Sequence, residues 1–313
     1  MNSPESPPAA AAPHWTQREE HGSHFWIVVI RVFSLTVGRP LSRLVLPFLA
    51  LYFTLSAAQA RAAARTFLTR CLGRDAGLRD VLRNVLAFAS TIHDRFFLFS
   101  GRLDLFDVEL VGAEHLHAEV SRGTGAFVFG AHLGSFEILR ATSRAQPGLR
   151  VCMAMYTENA RKINRALAAI HPDAMLDVIE LGQLDSMLTV HQRLNEGAIV
   201  GVLADRAVGP DEFRMVDFLG APARFPTGPF RMALLLRRPV YFVAGLYRGG
   251  NRYETHFELL HDFAQDRHAP TIDDLMERYV RALERHCRSA PYNWFNFYDF
   301  WETSPAPIAA AGA

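Results

Sequence analysis

The feature that most constrains the fold is an alternation of short apolar runs with helical segments, which begins near Asp107. The apolar runs have the length of buried strands, and the segments between them carry apolar residues at helical spacing. This alternation predicts an α/β fold with a mostly parallel central sheet flanked by helices. Strands are predicted at Phe106–Val111, Gly125–Phe129, Val151–Tyr156, Val178–Glu180, Ala198–Ala204, Pro239–Tyr247 and, at a sheet edge, Tyr253–Leu260. Helices are predicted at Ser135–Ser143, Asn159–Ile170, Ser186–Leu194, Pro226–Leu236 and Ile272–Cys287.

Two apolar stretches, Phe25–Val37 and Leu44–Ala58, precede this domain. The second carries no charge but contains Pro47, and it is shorter than the roughly 20 apolar residues that a spanning helix needs. We expect this part of the chain to contact a membrane, either as a short or tilted helix or as a re-entrant or amphipathic anchor. The alternative is a helix buried in the protein core. Arginines that could meet lipid headgroups flank the second stretch at Arg39, Arg43, Arg61 and Arg65.

The chain divides into four regions. Residues 1–20 are expected to form a flexible leader, 21–105 a helical membrane-anchor region, 106–302 the α/β domain and 303–313 a flexible tail. Within the anchor region, turn signals at Gly73 and Gly77 precede an amphipathic helix over Val81–Phe99.

Composition excludes several classes of function. Half of the residues are apolar and the net charge is +1, which argues against a disordered chain and against nucleic-acid binding. The cysteines Cys71, Cys152 and Cys287 form no CxxC pair, so we expect a reducing compartment and neither a disulfide framework nor a zinc site. We also expect no cofactor. The sequence contains neither a Gly-rich phosphate loop nor a GxSxG motif.

The strongest chemical signal is the turn after the strand Gly125–Phe129, in the sequence GAFVFGAHLGSFEIL. His132 follows the carboxyl end of the strand, where catalytic groups of α/β sheets collect, and Glu137 lies in the first turn of the next helix. An imidazole here can act as a general base, oriented by the carboxylate, and backbone N–H groups at the helix start could stabilise an oxyanion. Gly134 leaves room for a substrate, and Ser135 can cap the helix.

The spacing between His132 and Glu137 is not specific by itself. A histidine is followed five residues later by an acid also at His14/Glu19, His191/Glu196, His261/Asp266 and His268/Asp273. Only His132 ends an apolar strand within a Gly-flanked turn, and that context favours a catalytic role. The alternative is a hydrogen-bonded core histidine beside a helix-capping glutamate.

This segment resembles the HX4(D/E) signature of glycerolipid acyltransferases and, with Glu in last place, that of the late lipid A acyltransferases. The resemblance covers roughly residues 25–300. It includes the segments Tyr156–Asn159, Arg161–Asn164, Leu203–Gly209, Phe218–Pro222, Phe225–Gly228, Pro239–Val243 and Tyr292–Trp294. One position and one segment depart from the family pattern: Arg206 follows Asp205, and the segment after Trp294 is aromatic and acidic rather than basic.

The resemblance implies an acyltransferase at the cytoplasmic face of a bacterial inner membrane. Its donor would be an acyl carrier protein, and its acceptor a lipid or glycolipid. His132 and Glu137 would be catalytic, without a metal. Expected substrate-binding residues are Gly134, Ser135, Arg161, Asn164, Asp205, Arg206 and Arg224. Two rival functions are a lysophospholipid acyltransferase that uses acyl-coenzyme A or acyl carrier protein, and a catalytically inactive lipid-binding protein.

Overall fold

The protein is a mixed α/β structure built on one large sheet. The computed structural model describes residues 32–144, 149–156, 178–182, 185–206, 212–266, 268 and 270–301. Within these residues a seven-stranded, mostly parallel sheet is flanked by helices, which confirms the predicted fold class. The leader, the tail, and the predicted helix Asn159–Ile170 lie outside the described residues.

The sheet has the order β1-β9-β8-β2-β5-β3-β4, and only β8 and β9 pair antiparallel. Every residue of the central strand β2 is buried, as its uninterrupted apolar sequence requires. The strands of this sheet are β1 Asp107–Val111, β2 Ala126–Gly130, β3 Val151–Tyr156, β4 Val178–Leu181, β5 Ile199–Leu203, β8 Val240–Gly249 and β9 Arg252–His261.

The edge position predicted for Tyr253–Leu260 is wrong, because β9 lies between β1 and β8. The alternation of apolar and polar residues in this sequence indicates a strand with one half-exposed face. It does not indicate where that strand lies in the sheet. A separate hairpin, β6 Phe213–Phe218 with β7 Ala221–Pro226, was not predicted. Its prolines and arginines obscure the strand pattern.

Helices connect the strands and cover the sheet. The predicted helices at Ser135–Ser143, Ser186–Leu194, Pro226–Leu236 and Ile272–Cys287 are present within two residues at each end. The helices of the domain are α5 Ala113–Ser121, α6 Phe136–Arg144, α7 Ser186–Asn195, α8 Gly228–Leu236 and α9 Ile272–Ser289.

The N-terminal region is helical. Its helices are α1 Arg39–Ser42, α2 Leu46–Ser56, α3 Ala58–Leu72 and α4 Leu78–Phe99. Among the described residues, no single helix is both long and apolar enough to cross a bilayer; α1–α2 and α3 meet the criterion only together, with a bend of 98° between them.

Helix α2 has two contrasting faces. Leu46, Ala50 and Thr54 are buried at helical spacing, and α2 packs against α4. The other side exposes large apolar residues, so α2 lacks the polar outer face of an ordinary surface helix. With the turn that precedes the helix included, the exposed residues of this apolar face are Leu44, Val45, Phe48, Leu51, Tyr52, Phe53 and Leu55.

A buried ionic node attaches α1 to the rest of the protein. Arg39 pairs bidentately with Asp94 of α4, at 2.9 and 3.0 Å, and Arg43 approaches the same carboxylate at 3.1 Å. The Tyr253 hydroxyl of β9 donates to Asp94 at 2.8 Å. Burial alone would raise the pKa of Asp94, but hydrogen bonds from His93 and Arg39 and the charges of both arginines lower it. This node therefore joins three separate elements through one ionised group.

Candidate active site

The floor of the site is formed where β2 and β5 run side by side. The Phe136 ring, at the start of α6, lies over Gly130 of β2 and Gly201 of β5. A Cβ atom at these positions would lie 2.9 Å and 2.5 Å from that ring, which is closer than packing allows. Glycine at both positions therefore lets the aromatic ring rest directly on the sheet.

His132 and Asp205 meet above this floor. The two residues follow neighbouring parallel strands, β2 and β5, whose carboxyl ends lie at the same edge of the sheet. His132 Nδ1 lies 2.8 Å from Asp205 Oδ1. An ionised carboxylate can only accept hydrogen bonds, so Nδ1 carries the proton and Nε2 keeps its lone pair. The His132 side chain is 33% exposed, whereas that of Asp205 is fully buried.

Further hydrogen bonds fix this pair in place. Asp205 Oδ2 accepts from the His132 backbone N–H at 3.0 Å and from Trp294 Nε1 at 3.1 Å. The Phe295 N–H donates to the His132 carbonyl, and the Gly134 N–H donates to the Asn293 carbonyl, each at 2.8 Å. The segment from Asn293 to Phe295 therefore holds both the turn that carries His132 and the Asp205 carboxylate.

Burial and charge set the protonation of the pair. Burial lowers the pKa of His132 below its usual range, although the Asp205 charge and hydrogen bond oppose this, and Arg206 lowers it further. Burial would raise the pKa of Asp205, but the charge and hydrogen bonds of His132 outweigh it and lower the value to about 2. At neutral pH the site therefore holds a neutral imidazole beside an ionised carboxylate, as a general base requires.

The His132 side chain faces a mainly apolar pocket of about 460 Å³. This volume lies within the range of small-molecule sites. Three arginines, Arg95, Arg140 and Arg206, stand among the apolar walls. The walls include Phe88, Ile92, Phe99, Phe136, Met153, Met155, Val178, Leu203, Phe295, Phe297 and Tyr298. The pocket thus combines a base, cationic groups and a surface suited to a hydrocarbon chain.

A model of one protein family, the bacterial lipid A biosynthesis acyltransferases, matches residues 13–303 of this chain. The chain belongs to that family. The protein is therefore an acyltransferase of lipid A biosynthesis with a lipid acceptor. Comparison with curated proteins gave no match.

In this lipid A acyltransferase Glu137 does not orient His132. The motif predicts that Glu137 binds the imidazole, but Asp205 occupies Nδ1. Glu137 forms an ion pair with Arg95 of α4 at 3.0 Å and accepts from Ser135 Oγ at 3.1 Å. The motif spacing sets Glu137 in the first turn of α6, on the pocket side. This spacing does not reveal that α4 places Arg95 beside Glu137.

The other predicted residues divide into three groups. Gly134 and Arg206 line the pocket, and Asp205 lies directly behind His132. Ser135 is completely buried, and Arg224 lies on the β7 strand over the Phe213 ring, so neither lines the pocket. Arg161 and Asn164 lie outside the described residues.

Two backbone N–H groups just before α6 already have hydrogen-bond partners, so neither is an oxyanion donor. The Gly134 N–H donates to the Asn293 carbonyl, and the Ser135 N–H donates to the Gly245 carbonyl at 2.8 Å. The cationic side chains that line the pocket can also meet a developing negative charge. Arg206 donates to the Phe295 carbonyl at 2.6 Å and stacks over Tyr298, which fixes its guanidinium in the pocket wall.

The sequence does not predict that Arg95 and Arg140 line the pocket of this acyltransferase, or that Trp294 binds Asp205. Arg95 belongs to α4, 37 residues before His132 in the chain, so no local motif links the two. Trp294 lies in a segment that the family resemblance singled out, but only the fold shows its bond to Asp205. Among the described residues, no group of His, Cys, Asp and Glu side chains is arranged to hold a metal ion.

Proposed function

We propose that this protein moves a fatty acyl chain from an acyl carrier protein thioester to a hydroxyl, or an amine, of a lipid acceptor. His132 acts as the general base and Asp205 orients it. The observation that supports this best is the 2.8 Å contact between His132 Nδ1 and Asp205 Oδ1, which leaves Nε2 available beside the pocket. A base held in one tautomer by a carboxylate is the arrangement that acyl transfer to a weak nucleophile needs.

The reaction is a direct displacement. His132 Nε2 takes the proton of the acceptor hydroxyl while the oxygen attacks the thioester carbonyl. The tetrahedral intermediate collapses with cleavage of the C–S bond, and the imidazolium returns its proton to the departing thiolate. An ester and a thiol result, without a covalent enzyme intermediate. Arg206 and Arg95, which line the pocket, supply positive charge for the oxyanion and for the phosphate of the donor's phosphopantetheine arm.

Glu137 has a supporting role in this scheme. Its ion pair with Arg95 at 3.0 Å holds the guanidinium at the pocket wall, where both side chains are partly exposed. Glu137 therefore positions a cation rather than the base. Both residues of the His/Glu motif therefore keep a function in this scheme, but the carboxylate that pairs with His132 is that of Asp205.

We further propose that the reaction takes place at the cytoplasmic face of the inner membrane. The exposed apolar face of α2 supports this, because seven large apolar side chains there have no cover among the described residues. Such a face fits the interfacial region of a bilayer, with α2 lying along it.

The experiment that tests the proposal is acyl transfer with purified protein, a radiolabelled acyl carrier protein thioester and a saccharide lipid acceptor. His132→Ala should lower the rate by about 10²–10⁴-fold, the scale of general-base catalysis. His191→Ala, at an exposed position on α7, is the matched control. Near-complete activity of His132→Ala would remove the proposed mechanism, and preference for lysophosphatidic acid over the saccharide lipid would reassign the acceptor.

A further inference from the structure

A second cavity, of about 530 Å³, lies between α2, α4 and the chain that follows α9. It is separate from the active-site pocket, because α4 stands between the two. Arg83, Ala87 and Ser90 of α4 line the second cavity, at helical spacing. The residues of α4 that line the active-site pocket are Phe88, Ile92, Arg95 and Phe99, which form a row on the opposite face of the helix.

The second cavity is cationic. Arg43, Arg83 and Arg248 line it, and its described lining contains no carboxylate. Arg248 is paired with Glu254 at 2.7 Å, but its Nε atom is buried without a hydrogen-bond partner.

The neighbouring carboxylates do not neutralise this cavity. Asp94 is shared by Arg39 and Arg43, so that node keeps one net positive charge. Arg83 has no ion-pair partner among the described residues and is held over the Tyr292 ring, 5.7 Å from its centroid. About two positive charges are therefore available to an anion at this position. Guanidinium groups bind phosphate through paired N–H donors.

The other wall of the cavity is apolar and continues onto the exposed face of α2. Leu46, Pro47 and Leu86 line the cavity. Leu51 and Leu55 follow Pro47 at helical spacing, and both are exposed. A ligand that fits this surface has an anionic head for the arginines and a hydrocarbon part that follows α2 away from them.

We propose that this cavity binds the headgroup phosphate of an anionic phospholipid, whose acyl chains lie along α2. The site would hold the protein at the bilayer surface through one specific lipid, in addition to the general apolar contact of α2. This inference does not depend on the reaction at His132, since the two pockets lie on opposite sides of α4 and lipid binding is measured directly.

The test is calorimetric binding of dihexanoyl phosphatidylglycerol, below its micelle concentration, to the full-length protein. Dihexanoyl phosphatidylcholine and inorganic phosphate serve as comparison ligands. We expect the anionic lipid to bind most tightly, and Arg83→Glu to weaken it by at least roughly tenfold, the scale of one lost charged hydrogen bond. Arg281→Glu, at an exposed site on α9, should leave binding unchanged. Arg83→Ala should weaken binding in the same direction, and its melting temperature and circular dichroism report whether the fold is intact.

Equal binding of the two lipids would overturn the proposal, as would anionic-lipid binding that Arg83→Glu and Arg83→Ala leave unchanged. Binding of inorganic phosphate without binding of either lipid would also overturn it, because the apolar wall would then have no part in recognition. The proposed reaction is tested separately by acyl transfer in His132→Ala, so each proposal can fail without the other.

Discussion

At the scale of single residues, the arrangement around His132 depends on which carboxylate meets the imidazole. Asp205 makes that contact and is fully buried, whereas Glu137 is partly exposed and faces Arg95. A buried carboxylate that accepts several hydrogen bonds keeps its charge and its position, and both are needed to fix a tautomer. The two acids therefore have separable effects on His132.

We predict that Asp205→Asn lowers the acyl-transfer rate by about 10²–10⁴-fold, because the imidazole loses its tautomer control. The Asp205 charge raises the pKa of His132, so its removal should lower that pKa further and move the acid limb of the pH–rate profile to lower pH. Histidine NMR titration measures this shift directly.

Glu137→Gln is the matched comparison for Asp205→Asn. It should lower the rate through Arg95 but leave the His132 titration nearly unchanged, since Asp205 still holds Nδ1. A Glu137→Gln titration that shifts as far as that of Asp205→Asn would contradict this division of roles.

The position of His132 was predictable from the sequence, whereas its partner was not. An apolar strand that runs into a Gly-flanked turn places the histidine at a sheet edge. Asp205 could be placed at the same edge by the same reasoning, but the spacing of the family motif pointed to Glu137 instead. A contact across 73 residues depends on strand order, and the sequence does not state that β5 lies beside β2.

At the scale of elements, the N-terminal helices depend on a single buried charge. Asp94 neutralises Arg39 and Arg43 and accepts from Tyr253, so α1, α4 and β9 meet at one carboxylate. Removing one partner of a buried ionic group leaves the remaining charges uncompensated. This destabilises the folded protein by more than the intact ion pair stabilises it.

We predict that Asp94→Asn lowers the free energy of unfolding by about 3–5 kcal/mol, measured by urea denaturation. The pKa of Asp94 is lowered by folding, so its contribution is present above the ordinary aspartate pKa and is lost as the pH falls through the folded value. The variant should therefore lose this acid-dependent part of its stability. Asp104→Asn, which removes an exposed partner of Arg102, should change stability little.

The elements that the sequence predicted well are those with one clear pattern. Strand β2 is apolar throughout, and α9 carries a strong apolar stripe, so both were found close to their actual bounds. Helix α5 was missed because its sequence AEHLHAEVS is polar and short. The β6–β7 hairpin packs against α9, and this tertiary contact supports strands that local preference does not favour.

At the scale of the whole molecule, the exposed apolar face of α2 is the surface on which we expect the protein to meet a membrane. Phe48, Leu51 and Leu55 of α2 are 74%, 44% and 58% exposed. Transfer of such side chains out of water is worth roughly 1.5–3 kcal/mol each when complete. Burial of these side chains at a bilayer surface would therefore favour attachment there, and no single described helix is long and apolar enough to cross a bilayer.

We predict that replacing Phe48, Leu51 and Leu55 together by serine lowers the vesicle partition coefficient by more than about tenfold, measured by flotation with phosphatidylglycerol-containing vesicles. The same change at the exposed residues Leu188 and Leu235, on α7 and α8, should leave partitioning unaltered. If both variants stayed on the vesicles, the bilayer contact would have to lie elsewhere in the chain.

The anchoring of His132 and Asp205 by Asn293–Phe295 also affects the order in which the protein can mature. A ribosome delivers residues 132 and 205 long before residue 294, so the dyad emerges without the indole that braces it and without the carbonyl that fixes the turn. We therefore expect nascent chains to stay inactive until residues 293–295 have emerged. We expect this delay to prevent premature hydrolysis of acyl thioesters by an unfinished enzyme.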